Sequence, residues 1–225
     1  GVGISPIEIV SFTLFDAGYN DVTDLLGYEF VWKDGTIELV EKLLQVEVEE
    51  SWKYYDGTPL TYGKNAYFRV IKENSVGYEN VKVTFDSTHE SLTLTNAGTL
   101  ESSVMEACFH VYDETGKEIT EEYVIDCVNF GLEIKKSILH IKATDVTATY
   151  DESYQDKPLT SSEVEVVFGK LVSGHRIEAE TFGSLSRVGE IENVILGYAI
   201  VDANGNGVTD NYYVEKALSG KLILK

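Results

Sequence analysis

A chain of 225 residues that is 43% hydrophobic and 11% aromatic carries enough apolar side chain for one or two packed cores and is not a disordered tail. Thirty-eight acidic against 18 basic residues give a formal charge of -20, which repels phosphate backbones and anionic membrane surfaces and excludes nucleic acid as a partner. No apolar run approaches the roughly 20 residues of a membrane-spanning helix, no basic-then-apolar leader stands at the amino end, and two cysteines make neither a disulfide scaffold nor a zinc site of about four ligands.

The acid is spread along the chain. Glu47-Val48-Glu49-Glu50 and Glu163-Val164-Glu165 alternate with apolar residues, the pattern of a solvated sheet face that keeps a surface protein soluble. The chain starts at Gly1 and not at Met, as a processed or excised segment would, so any export signal or wall anchor is expected outside it. Cysteine number leaves the redox compartment open.

Helical periodicity is nearly absent. The one rival lies at Ile37 to Leu44, where Ile37, Val40 and Leu44 would share a helical face; a strand is expected there, because the matching segments further on alternate. Near the amino end, Phe12-Thr13-Leu14-Phe15-Asp16 is followed by Thr23, seven residues after the aspartate. The arrangement returns as Phe109-His110-Val111-Tyr112-Asp113 with Thr120, and as Tyr198-Ala199-Ile200-Val201-Asp202 with Thr209. Gly35, Gly131 and Gly220 follow those threonines by 11 or 12 residues and open a closing strand, while Val2-Gly3, Ala97-Gly98 and Val188-Gly189 precede the aspartates by 13 to 15. Anchors recurring in one order mark an internal repeat.

The expected division is therefore the carboxyl half of a truncated repeat at 1–40, a complete β repeat at 41–137 and a second complete β repeat at 138–225. The truncated piece lacks its front strands, so it is expected to pack on the middle repeat or to pair between chains. In the last repeat the strands read as Leu139 to Thr149, Val164 to Phe168, Arg176 to Phe182, Val194 to Val201 and Tyr212 to Leu224, the last broken at Gly220. Short strands with turn residues between them predict an all-β fold, as a sandwich or a strongly twisted antiparallel sheet. No Pro- or Ser-rich linker interrupts Glu133-Ile134-Lys135-Lys136-Ser137-Ile138-Leu139, so a short, stiff junction is expected.

One stretch organises the rest. Tyr55-Asp56-Gly57-Thr58-Pro59-Leu60-Thr61 returns 99 residues later as Tyr154-Gln155-Asp156-Lys157-Pro158-Leu159-Thr160. Asp-Gly and Pro supply a turn. The competing reading is a ligand-binding loop, against which stands the loss of Asp and Gly in the later copy. Together with Gly174-His175-Arg176-Ile177, Val188-Gly189, the run from Tyr198 to Asp210 and the closing Gly220-Lys221-Leu222, it resembles the tandem YDG or MBG-type repeats of Gram-positive bacterial surface proteins and adhesins. The resemblance covers almost all of the last repeat, most of the middle one and the hairpin half of the first. It implies extracellular, small Ig-like β-sandwich or β-grasp-like modules with no chemistry of their own.

Candidate sites are few. Asp202, Asn204, Asn206 and Asp210 with Gly207 imitate the front of a calcium loop, yet Tyr213 stands where a bidentate Glu belongs and Lys117 stands at the fifth position of the middle copy; a tight turn accounts for these residues without metal. Cys108 and Cys127 flank the Asp113 to Thr120 turn, as a cross-strand disulfide or as two buried thiols. His89, His110, His140 and His175 are scattered, with no nucleophile in context and no ligand spacing. Acid pairs such as Glu121-Glu122 are inevitable in so acidic a chain and offer no general acid. No catalytic residue, cofactor site or metal site is expected.

The expected function is a non-enzymatic stalk or spacer in a secreted or cell-wall-attached bacterial protein, its partners being neighbouring repeats of the same chain. The alternative is an adhesive module for host glycan or protein, which needs an exposed aromatic cluster; Tyr62, Tyr67 and Phe68 are the candidates.

Overall fold

The computed structural model describes residues 3–6, 13–15, 17–21, 30–33, 36–39, 42–129 and 131–225. Phe12, Asp16, Thr23 and Gly35 of the first hairpin, Val2 and Val40 lie outside them. Among the described residues the chain is all-β, with one five-residue helix and four 3-10 turns beside its strands.

The first strands are β1 (Gly3–Pro6), β2 (Phe30–Lys33) and β3 (Thr36–Leu39), an antiparallel sheet in the order β1-β3-β2. Then come β4 (Lys42–Val48), β5 (Ser51–Tyr54), β6 (Leu60–Thr61), β7 (Phe68–Val70), β8 (Lys82–Phe85), β9 (Thr93–Leu94) and β10 (Gly98–Thr99). The helix α1 (Ser102–Glu106) precedes β11 (Phe109–Tyr112), β12 (Tyr123–Cys127) and β13 (Leu132–Lys135). The last stretch holds β14 (Ser137–Ala143), β15 (Val146–Ala148), β16 (Val164–Phe168), β17 (Arg176–Phe182), β18 (Gly189–Val201), β19 (Tyr212–Leu218) and β20 (Gly220–Leu224). The segment around Ile37 to Leu44 is strand on both sides of Val40, as its β-branched content favours.

The chain divides into two compact units. One is Gly1–Ser51, Thr61–Thr93 and Thr99–Leu132; the other is Trp52–Leu60, Leu94–Gly98 and Glu133–Lys225. Residues 52–60, Tyr55 among them, thus belong with Glu133–Lys225 and not with the segments on either side of them.

In the first unit β4 lies between β12, parallel to it, and β7, antiparallel. Its alternation buries Leu44, Val46 and Val48 on one face, and each such side chain withdrawn from water contributes about 1.5 to 3 kcal/mol. Phe109 stacks on Phe85 at 4.6 Å, and Phe68 meets Phe109 edge to face at 5.3 Å. In the second unit β14 lies between β19, parallel, and β16, antiparallel, and buries Leu139, Ile141 and Ala143. Here β15 runs parallel to β20, which pairs antiparallel with β18, and β18 with β17. Leu139 and Ile141 pack with Ile134, Ile200, Tyr212 and Tyr55.

The sheets built on β4, β14 and β20 each contain a parallel pair, so they are not the twisted antiparallel sheet that stood beside the sandwich among the expectations. β4 and β14 each pair in parallel with a strand far along the chain, and the long intervening segment is what a parallel pairing requires. The middle stretch also breaks what is a single 13-residue strand, β18, into β10, α1 and β11, with Met105 of the helix fully buried.

Candidate functional site

The Tyr55 stretch is built as a turn. Asp56 accepts hydrogen bonds from the Lys53 ammonium at 2.7 Å, the Thr58 backbone N–H at 2.9 Å and the Thr58 hydroxyl at 2.7 Å. Those donors, the ammonium first, hold its carboxyl well below the usual carboxylate range. Gly57 has φ +80, and a Cβ there would lie 2.6 Å from Val172 Cγ1, so both handedness and space demand glycine. Tyr55 itself is only 8% exposed. Burial raises its hydroxyl pKa, helped by the nearby Asp202 and Asp56 charges. Its ring faces Tyr212 at 5.5 Å and His175 at 6.3 Å. His175 in turn holds the Tyr212 hydroxyl through Nδ1 at 2.8 Å, and that hydroxyl accepts the Val172 N–H at 3.1 Å. The later copy does otherwise: Glu152–Gln155 is a 3-10 turn capped by the Asp151 side chain, and Asp156 sits at φ -94.

The two later aspartate turns share their backbone hydrogen bonds. Asp113 accepts the N–H groups of Thr115 and Lys117, at 2.8 and 3.0 Å, and Asp202 those of Asn204 and Asn206, at 2.9 and 2.8 Å. Thr120 Oγ1 accepts the Val111 N–H at 2.9 Å and Thr209 Oγ1 the Ile200 N–H at 2.8 Å. The bridges Phe15 to Asp21, Tyr112 to Glu118 and Val201 to Gly207 occupy the same place relative to the three aspartates. The carboxylates of Asp113 and Asp202 are thus engaged by their own turns, whose donors keep both pKa values low. Among the described residues no group of three His, Cys, Asp or Glu is placed to hold a metal.

Beyond the Tyr112 to Glu118 bridge the arms part. β11 pairs with β8, whereas β12 pairs with β4, so Cys108 and Cys127 are not opposed on one ladder. Both are buried thiols, the first contacting Val104 O and Ser91 Oγ, the second Asn129, and burial pushes both pKa values up. His110 pairs with Glu118 at 2.8 Å and His140 with Glu215 at 2.5 Å. His89 lies beside a serine, its Nδ1 2.7 Å from Ser91 Oγ. The same nitrogen accepts the Ser91 backbone N–H at 3.3 Å, which makes the contact a local turn closure.

The aromatic trio does not assemble on the surface. Tyr62 is buried and meets Phe85 edge to face at 5.7 Å, Phe68 packs on Phe85 and Phe109, and Tyr67 alone is exposed. Two arrangements went unread in the sequence. On β5, Trp52 and Tyr54 are 55% and 51% exposed, meet edge to face at 5.8 Å, and have the Lys135 ammonium 4.0 Å from the Trp52 ring centroid; the i, i+2 spacing in Ser51-Trp52-Lys53-Tyr54 carried that signal. In the first unit a cleft of about 530 Å³ opens beside Val81, Asp113 and Tyr123; only the residue-by-residue match of the two aspartate turns pointed there. No family model, curated protein or solved structure matches the chain.

Proposed function

We propose that the chain is a run of tandem Ig-like β repeats from a secreted or wall-attached bacterial surface protein, acting as a non-enzymatic spacer. The observation that supports this reading is the parallel pairing of an early with a late strand in both units: β4 with β12, and β14 with β19. Tension applied between the ends of such a unit slides these strands along each other and loads every ladder hydrogen bond at once, where an antiparallel hairpin would unzip bond by bond. The polar residues of the repeated motifs are engaged in turn geometry, as a spacer requires. Single-molecule extension of the chain tests the reading, since forced unfolding reports the unfolding barrier. The expected record shows a high-force event for each unit; extension at the low force of hairpin unzipping overturns it.

The adhesive reading is favoured by one observation, the exposed Trp52 and Tyr54 beside Lys135. Flat aromatic faces with a charged neighbour suit stacking against a sugar ring. A glycan array probed with the chain and with Trp52→Ala decides it: signal lost in the variant supports a glycan site, and no signal from either chain removes it.

A further inference from the structure

The two units present the same corner, filled in different ways. In the second unit Tyr212 opens β19, and its ring and His175 receive Tyr55, while Val172 packs against Gly57. The ladder registers locate the counterparts. Tyr123 opens β12 opposite Lys42 as Tyr212 opens β19 opposite Ser137. Lys82 pairs with Tyr112 as Arg176 pairs with Val201, so Val81 stands where His175 stands. Asp113 and Asp202 occupy one position in turns that donate the same backbone N–H groups to them. Val81, Asp113 and Tyr123 all line the cleft described above.

We propose that this cleft is a socket for the Tyr-Asp-Gly turn of another β repeat, the chemistry that Tyr55-Asp56-Gly57 supplies to the second unit. The idea rests on the repeat reading above and names the partner that reading needs. The socket is preformed: the Tyr123 hydroxyl donates to Gly77 O at 2.6 Å and fixes the ring, as His175 and Val172 fix Tyr212. Its rim is acidic, with Glu79, Asp113, Glu114 and Glu122 against Lys42 and Lys117, which suits a turn that brings a lysine two residues before its tyrosine, as Lys53 is before Tyr55. A second copy of this chain is not the intended guest. Its own Tyr55 is buried, and its later copy has Asp156 at the glycine position within a 3-10 turn region.

Lys42 is the built-in brake. Its ammonium lies 5.0 Å from the Tyr123 ring centroid and 3.3 Å from Glu122, over the ring that the incoming tyrosine must meet, whereas the second unit has Ser137 there. The probe is a synthetic nonapeptide with the sequence of residues 52–60, titrated into the isotope-labelled full chain. Saturable amide shifts at Gly77, Val81 and Tyr123 are expected, tightened several-fold by Lys42→Ser and lost when the peptide carries Tyr55→Ala. The proposal is overturned by no shift at these amides at about 10 mM peptide, beyond the millimolar effective concentration of a tethered segment. Shifts that ignore Tyr55→Ala, or self-association of the chain through Tyr154, overturn it equally. Peptide failure with high unfolding forces removes the socket alone; low forces with peptide binding remove the spacer alone.

Discussion

Tyr55 stands edge to face with Tyr212, ring centroids 5.5 Å apart at 82°, and through it a nine-residue segment joins the core of the second unit. Truncating a buried aromatic removes its transfer free energy and leaves a cavity. Tyr55→Ala is expected to cost about 3 kcal/mol in urea unfolding, whereas Tyr55→Phe, which keeps the ring contact, stays within about 1 kcal/mol.

Gly57 is constrained twice, by φ +80 and by Val172, whose Cγ1 would stand 2.6 Å from an added methyl. Gly57→Ala should cost about 1 kcal/mol for the left-handed backbone alone, and more for the contact. In a Val172→Ala background the contact part disappears and the backbone part remains, so the double-mutant cycle should return a coupling of about 1 kcal/mol. Simple additivity would place the two residues out of contact.

Tyr62 is buried, and its hydroxyl has no hydrogen-bond partner among the described residues. A buried donor left unmade is a standing penalty. Tyr62→Phe is therefore expected to raise stability by about 1 kcal/mol, read as a higher melting temperature. An unchanged or lower value would mean that the hydroxyl is satisfied in solution.

Asp56, Asp113 and Asp202 have folded pKa values below those of a free carboxyl, each because of donors in its own turn. The folded chain then binds fewer protons than the unfolded one, so the turns stabilise fully above the unfolded pKa of about 4 and lose that contribution as pH falls through the folded values. Urea midpoints should decline on acidification below about pH 4. The double variant Asp113→Asn with Asp202→Asn retains an oxygen acceptor and should flatten that decline.

Both thiols are buried and unpaired. A thiol reagent should find neither in the native chain and both after denaturation without reductant; a chain with none available in denaturant would be disulfide-bonded.

Legibility in the sequence followed the range of the interaction. The strands Val164–Phe168 and Arg176–Phe182 were readable to the residue, because alternation and flanking Gly are local. The aspartate turns were readable because their hydrogen bonds close within a few residues, as Asp202 does with Asn206. The parallel ladders were not, since nothing in Leu139 or Ile141 names Val214 or Ala217 as its neighbour. Phe68 reads in sequence as part of an irregular surface loop; the residues next to it do not show that Phe85 and Phe109 cover it. His89 and Ser91 are two residues apart and still escape a sequence reading, because their contact depends on a turn in between.

The parallel ladders also set the order in which the chain can fold. His140 of β14 finds Glu215 75 residues later, and Gln45 of β4 finds Asp126 81 residues later. An opening strand made in this way cannot complete its sheet until the far end of its own unit exists, so loop closure comes before the contacts that reward it. During synthesis or threading, β14 waits with one edge unpaired, and the alternating acid of this -20 chain then keeps waiting strands from pairing with those of a neighbouring molecule.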